Sequence, residues 1–130
     1  MPTEPDREPV AVLLIAHGSR RPEANADLDF IADELRRRGR YAVVEAAYLE
    51  LAEPDIDAGA AACVERGART VILVPYFLSP GVHVRDDLTE AQRRLSERFP
   101  EVRFRLAEPL GRHPLLLEVV AERAREAAER

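Results

Sequence analysis

A chain of 130 residues, 46% hydrophobic and 33% charged, is long enough for one core and too short for two. Its formal net charge of −5 speaks against general nucleic-acid binding, which needs a basic face, and four Phe, three Tyr and no Trp make a poor base-stacking platform. All 19 basic residues are arginine, which excludes chemistry built on a lysine amine, such as a Schiff base, a P-loop lysine or a kinase lysine.

Residues 1–9, MPTEPDREP, hold more acid than base and three prolines. They do not read as a secretory signal, and they are expected to be a flexible segment ahead of a single domain over residues 10–130. Val10–Ala16 (VAVLLIA) reads as a strand buried on both faces, His17–Pro22 as a loop, and Glu23–Arg38 as a helix closed by Gly39. Tyr41–Tyr48, interrupted by Glu45, fits an edge strand. Asp55–Arg66 is a second helix between Pro54 and Gly67, and Thr70–Pro75 a third strand. After a loop over Tyr76–His83, Asp86 or Asp87 is expected to cap a helix that ends near Phe99–Pro100. Val102–Ala107 gives a fourth strand, and Pro114–Arg130 a closing helix that opens on proline. The apolar runs are too short to span a bilayer, and the lone Cys63 allows neither an internal disulfide nor a CxxC metal knuckle. The expectation is a cytoplasmic protein without membrane or nucleic-acid partners.

The order βαβαβαβα with right-handed crossovers predicts an α/β fold: a four-stranded parallel sheet, order 2-1-3-4, with helices on both faces. Ligands bind such sheets outside the carboxyl ends of the strands, where the strand order reverses. All three histidines, His17, His83 and His113, fall in those mouth segments, with Glu50, Glu53, Asp55 and Glu108 nearby. Neutral imidazoles beside carboxylates, without thiolates, suit a divalent ion such as cobalt, iron, nickel or zinc. The plainer alternative, a histidine that only bonds its loop backbone, fits His113 best. Arg20, Arg21, Arg85 and Arg112, with the helix N-termini, favour an anionic, carboxylate-rich ligand.

Other chemistries fail on detail. His17-Gly18 follows Ala16, where a histidine phosphatase carries arginine. Ser19 and Ser79 lack a nucleophile elbow, the glycines form no phosphate cradle, and Cys63 sits mid-helix.

Four segments, AHGSRRPEAN, AYLELAEPDI, VPYFLSPGVHVRDDL and LAEPLGRHPLL, each after its expected strand, resemble the small sirohydrochlorin chelatases of the CbiX/SirB type, the class II, ATP-independent chelatases. The resemblance runs from about Val10 to the C-terminus. It implies insertion of a divalent metal, cobalt first and ferrous iron second, into sirohydrochlorin during cobalamin or siroheme synthesis, with cobalt, ferrous iron or nickel as substrate and no permanently bound cofactor. His17 and His83 correspond to metal-binding histidines, His17 also being the proton acceptor. Glu53 matches a substrate-binding acid, and Leu78, Ser79, Pro80, Gly81, Val82 and His83 match the loop lining the tetrapyrrole. The resemblance also implies a homodimer, for which the mouth residues Tyr76, Phe77, Leu78 and Val82 and part of the third helix are the expected surface. The alternative within the fold is a non-catalytic metal or tetrapyrrole carrier.

Overall fold

The computed structural model describes residues 9–130; of the expected flexible segment, residues 1–8 lie outside the described residues. Pro9 is exposed, and its carbonyl accepts from the amides of Arg69 and Thr70 at 2.9 and 3.3 Å. Eight elements follow in strict alternation: β1 (Val10–Ala16), α1 (Pro22–Arg38), β2 (Val43–Tyr48), α2 (Ile56–Glu65), β3 (Thr70–Pro75), α3 (Val82–Arg98), β4 (Arg103–Leu106) and α4 (Pro114–Ala128). The strands form one parallel sheet in the order β2-β1-β3-β4, as the alternation predicted.

Side chains alternate across the sheet and divide the core in two. Ala11, Leu13 and Ile15 of β1 join Val71 and Leu73 of β3 and Phe104 of β4 beneath α2 and α3. Val12 and Leu14 face the other way, onto Leu28 and Ala32 of α1 and Val44 and Tyr48 of β2. Flanked by strands and covered on both faces, β1 is buried from Ala11 to Ile15, which is why it reads as an unbroken apolar run. Truncating Leu13 there costs about 2–5 kcal/mol.

The helix ends show where local chemistry decides. Gly39 closes α1 at φ 69°, and the Asp55 carboxylate accepts from the Ala58 amide at 2.8 Å to open α2. Asp86 and Asp87 are not caps. α3 starts earlier, from an extended Gly81 that supplies no side-chain cap, so both aspartates lie in its second turn and His83 moves from the loop into its first turn. Pro80 is buried, and it delivers the chain straight into the helix. α4 opens on His113, whose Nδ1 accepts from the Leu115 amide at 3.1 Å. Expected to close the fold, α4 instead stands off the sheet: none of its residues is buried. Its stripe calls for a partner that the rest of the described chain does not supply.

The two outer strands carry side-chain donors. Arg36 of α1 donates Nε and Nη2 to the Val44 carbonyl of β2 at 3.0 and 2.6 Å. Gln92 of α3 donates to the Phe104 carbonyl of β4 at 2.7 Å. No helix among the described residues is long and apolar enough to cross a membrane.

Candidate functional site

β1 and β2 end level, Ala16 opposite Tyr48, so the segments that follow leave the sheet side by side. The Leu49 amide donates to the Ala16 carbonyl and the Glu50 amide to the His17 carbonyl, both at 3.0 Å. Gly18 makes the approach possible. It sits at φ +103°, and a Cβ there would lie 1.8 Å from the Glu50 carbonyl oxygen. Leu51, at φ 68°, turns the chain back toward the cis Glu53-Pro54 peptide, whose Pro54 carbonyl accepts from the Tyr48 amide at 2.9 Å.

This packing sets the His17 Nε2 2.8 Å from Glu50 Oε2, with the two side chains 55% and 58% exposed. The pair opens into a cleft of about 370 Å³, also lined by Asp55, Asp57, Asp87 and Arg94. Arg94 of α3 ties to Asp57 of α2 at 2.7 Å across the cleft wall; that hydrogen bond raises the guanidinium pKa and keeps Arg94 a cation. An imidazole beside a carboxylate at an open mouth can take up a proton or share a divalent cation. Among the described residues no three His, Cys, Asp or Glu side chains close into a ready metal cage.

The second half of the mouth lies over β3 and β4. Gly111 packs directly on the Leu78 carbonyl, where a Cβ would come within 1.9 Å, and the Leu110 amide donates to the Phe77 carbonyl at 2.9 Å. Arg112 follows at φ 68°. These contacts shape a cleft of about 970 Å³ lined by Leu78, Ser79, Arg85, Arg112, His113 and Leu116.

The residues expected from sequence thus separate. His83 stands exposed in the first turn of α3, next to Val84, which lines the His17 cleft. Glu53 faces a neighbouring cleft with Arg20, not the cleft of His17. Leu78, Ser79, Gly81 and Val82 are exposed, whereas Pro80 is turned inward and gives only its carbonyl, to Arg85 Nε at 3.3 Å. Arg85 and Arg112 meet across the larger cleft, and Arg21 is the N-cap residue of α1. Among the four mouth carboxylates Glu50 is set apart from Glu53 by the level ends of β1 and β2, a register that residue types alone do not carry. Cys63 is fully buried, and burial, helped by the charge of Glu45, pushes its thiol up to about 12, which keeps it out of any chemistry.

Comparison with known proteins extends this geometry. The chain is 37% identical over 112 residues to the chloroplastic sirohydrochlorin ferrochelatase of Arabidopsis thaliana, covering 86% of this chain and 50% of that protein. It is 32% identical to the sirohydrochlorin cobaltochelatase of Sulfolobus acidocaldarius, covering 91% of this chain and 92% of the relative. The sirohydrochlorin chelatase SirB of Bacillus subtilis, solved in complex with cobalt, superposes with a TM-score of 0.82 at 30% identity, over 91% of this chain and 50% of SirB. The chain therefore spans about half the length of the Arabidopsis and Bacillus relatives. A family model, CbiX, matches residues 11–127, from the start of the first strand to the last turn of α4, and on that match the chain belongs to the CbiX family.

Proposed function

We infer that this protein inserts a divalent metal ion, cobalt or ferrous iron with nickel also accepted, into sirohydrochlorin without ATP, as a step of cobalamin or siroheme synthesis. The observation that carries the reading is the His17–Glu50 pair, 2.8 Å apart and open to solvent where the strand order reverses. Insertion breaks two pyrrole N–H bonds, forms bonds from the macrocycle nitrogens to the metal, and releases two protons. A neutral His17 imidazole accepts a proton, and Glu50 orients the ring and stabilises the imidazolium that forms. His83, at the start of α3, is the second imidazole for the incoming ion, which is substrate and not resident cofactor. Arg85 and Arg112 meet the carboxylates of the tetrapyrrole, Leu78 and Val82 offer it an apolar face, and Glu53 and Arg20 border it on the other side.

None of these steps needs an amine or a phosphate cradle, in keeping with a chain that has neither lysine nor a glycine-rich loop. The buried, unpaired Cys63 fits a reducing compartment, and we place the enzyme in the cytoplasm, working as a homodimer. The test is to mix protein, sirohydrochlorin and cobalt, ferrous or nickel ion in turn and follow the absorbance of the macrocycle. Many turnovers per protein are expected with at least one metal; binding of ion and tetrapyrrole without turnover would overturn the reading in favour of a carrier.

A further inference from the structure

α3 sends Val84, Asp87, Ala91 and Arg94 along one face, at the three- and four-residue steps of a helix, into the cleft that His17 and Glu50 open. Opposite them α2 begins, with Asp55 as its N-cap and Asp57 in its first turn. The carboxylates of Glu50, Asp55, Asp57, Asp87 and Glu90 thus line one cleft, and among the described residues Arg94 is the one guanidinium beside them. Glu50 is taken by His17, Asp55 by the Ala58 amide, Glu90 by Arg93 of its own helix, and Asp57 by Arg94.

The Arg94 contact differs in kind from that of its neighbour. Arg93 bonds along α3, to Glu90 and Glu97, whereas Arg94 crosses to α2. Its Nη2 donates to Asp57 Oδ1 at 2.7 Å and its Nε to Oδ2 at 3.2 Å, so both carboxylate oxygens are engaged. Among the described residues this is the one ion pair that joins two helices. Its side chains are 46% and 36% exposed, and a pair so open to water adds little to folding stability. Its charge has more to do. A guanidinium keeps its proton at every working pH, so Asp57 stays neutralised. A carboxylate with free oxygens is a ready ligand for a divalent ion, and several of them beside an imidazole hold it firmly. An ion destined for a macrocycle has to leave again, and binding it more tightly before the reaction slows turnover.

We propose that Arg94 is a positioning residue for delivery of the ion: by holding both oxygens of Asp57 and fixing a positive charge in the cleft, it prevents the acidic wall from retaining the divalent metal that His17 passes on. This role rests on metal insertion being the reaction. A plain clamp between α2 and α3 would use the same pair, but the two roles differ in sign. For a clamp, loss of either partner has the same effect; for a guard, loss of Arg94 tightens the hold on the ion and loss of Asp57 loosens it.

The experiment titrates cobalt ion alone into the full chain by calorimetry, for the parent, Arg94→Gln, Asp57→Asn and the double variant. Arg94→Gln is expected to bind cobalt about three- to tenfold more tightly, the effect of one unit charge removed near a dication, and Asp57→Asn more weakly than the parent. The double variant, with the charge balance restored, should return to the parent affinity. In the insertion assay Arg94→Gln should lower kcat and the KM for cobalt together and leave the KM for sirohydrochlorin unchanged. Three results overturn the proposal: parent affinity in Arg94→Gln, a shift of the same sign in Asp57→Asn, or tighter binding with an unchanged kcat. Circular dichroism melting checks the fold of each variant, and Arg94→Met, which keeps an unbranched apolar stem, takes the place of Arg94→Gln should that variant not fold. Failure of the chelatase reading shows separately, as no change in macrocycle absorbance with the parent, because the cobalt titration contains no sirohydrochlorin.

Discussion

Replacing Gly18 with alanine places a methyl carbon 1.8 Å from the Glu50 carbonyl oxygen and 3.2 Å from the Tyr48 Cβ. The obstacle is backbone, so it does not swing aside; reaching ordinary contact requires the β2–α2 segment to retreat by about 1.6 Å. Alanine at φ +103° adds about 1–2 kcal/mol of conformational strain, and loss of the hydrogen bond from Glu50 to His17 adds about 0.5–1.5 kcal/mol. The expected destabilisation is roughly 1.5–3.5 kcal/mol, a fall in melting temperature on the order of 10 °C. Because the same retreat separates Glu50 from His17, metal insertion should slow by about 100-fold even well below the melting point. Gly39→Ala is the control: no atom lies within 4 Å of its Cβ position, and it should show backbone strain alone, with insertion unchanged. Thermal unfolding followed by circular dichroism, with the absorbance assay at a temperature where both variants are folded, reads both quantities. A Gly18→Ala protein that melts with the parent and inserts metal at the full rate would refute the claim that this close approach builds the site.

His17→Ala should abolish insertion and leave the melting temperature unchanged, since the side chain is 55% exposed; His83→Ala should lower metal affinity and rate together, and full rates in both would eliminate the site. Glu50→Gln should slow insertion by at least about tenfold, whereas Glu53→Gln should act mainly on KM for sirohydrochlorin; steady-state kinetics that reverse this order would return Glu53 to the centre. His113→Ala removes the N-cap of α4 and should cost about 1 kcal/mol in urea unfolding while sparing kcat; complete loss of insertion would instead place His113 at the reacting atoms. Burial holds the Cys63 thiol at about 12, against about 8.5 in an unfolded chain. The folded state thus keeps a proton that the unfolded state gives up. Its contribution to stability is full below about pH 8.5 and falls as pH rises toward 12, so urea midpoints should drop between pH 8 and 10 in the parent and less in Cys63→Ala.

Where a residue's environment is settled by its neighbours in the chain, the sequence reading and the structure agree. The runs VAVLLIA and TVILVP mark strands covered on both faces, Glu45 marks an edge, and Gly39 and Asp55 end and start helices through their own backbone or side chain. The start of α3 was misread because Asp86 and Asp87 have the side chains of caps, while Gly81 opens the helix by backbone conformation alone. The mouth was legible, and so was the position of His17 in it, directly after β1. Its carboxylate partner was not, because Glu50 and Glu53 both follow β2, and only the level ends of β1 and β2 with the close approach at Gly18 choose between them. α4 is the clearest limit. Its periodicity states that a face must be covered, but a pattern of spacing carries no information about which surface covers it.

The donors on the two outer strands have a consequence for association between folded copies. An exposed rim of a sheet is a template on which another strand can add, the first step of fibrous growth. Here the Arg36 guanidinium sits on the Val44 carbonyl at one rim and the Gln92 amide on the Phe104 carbonyl at the other. An incoming strand must displace a charged, bidentate donor on one side and a 2.7 Å amide bond on the other before it gains its first backbone contact. With both rims guarded in this way, folded copies resist adding their sheets edge to edge.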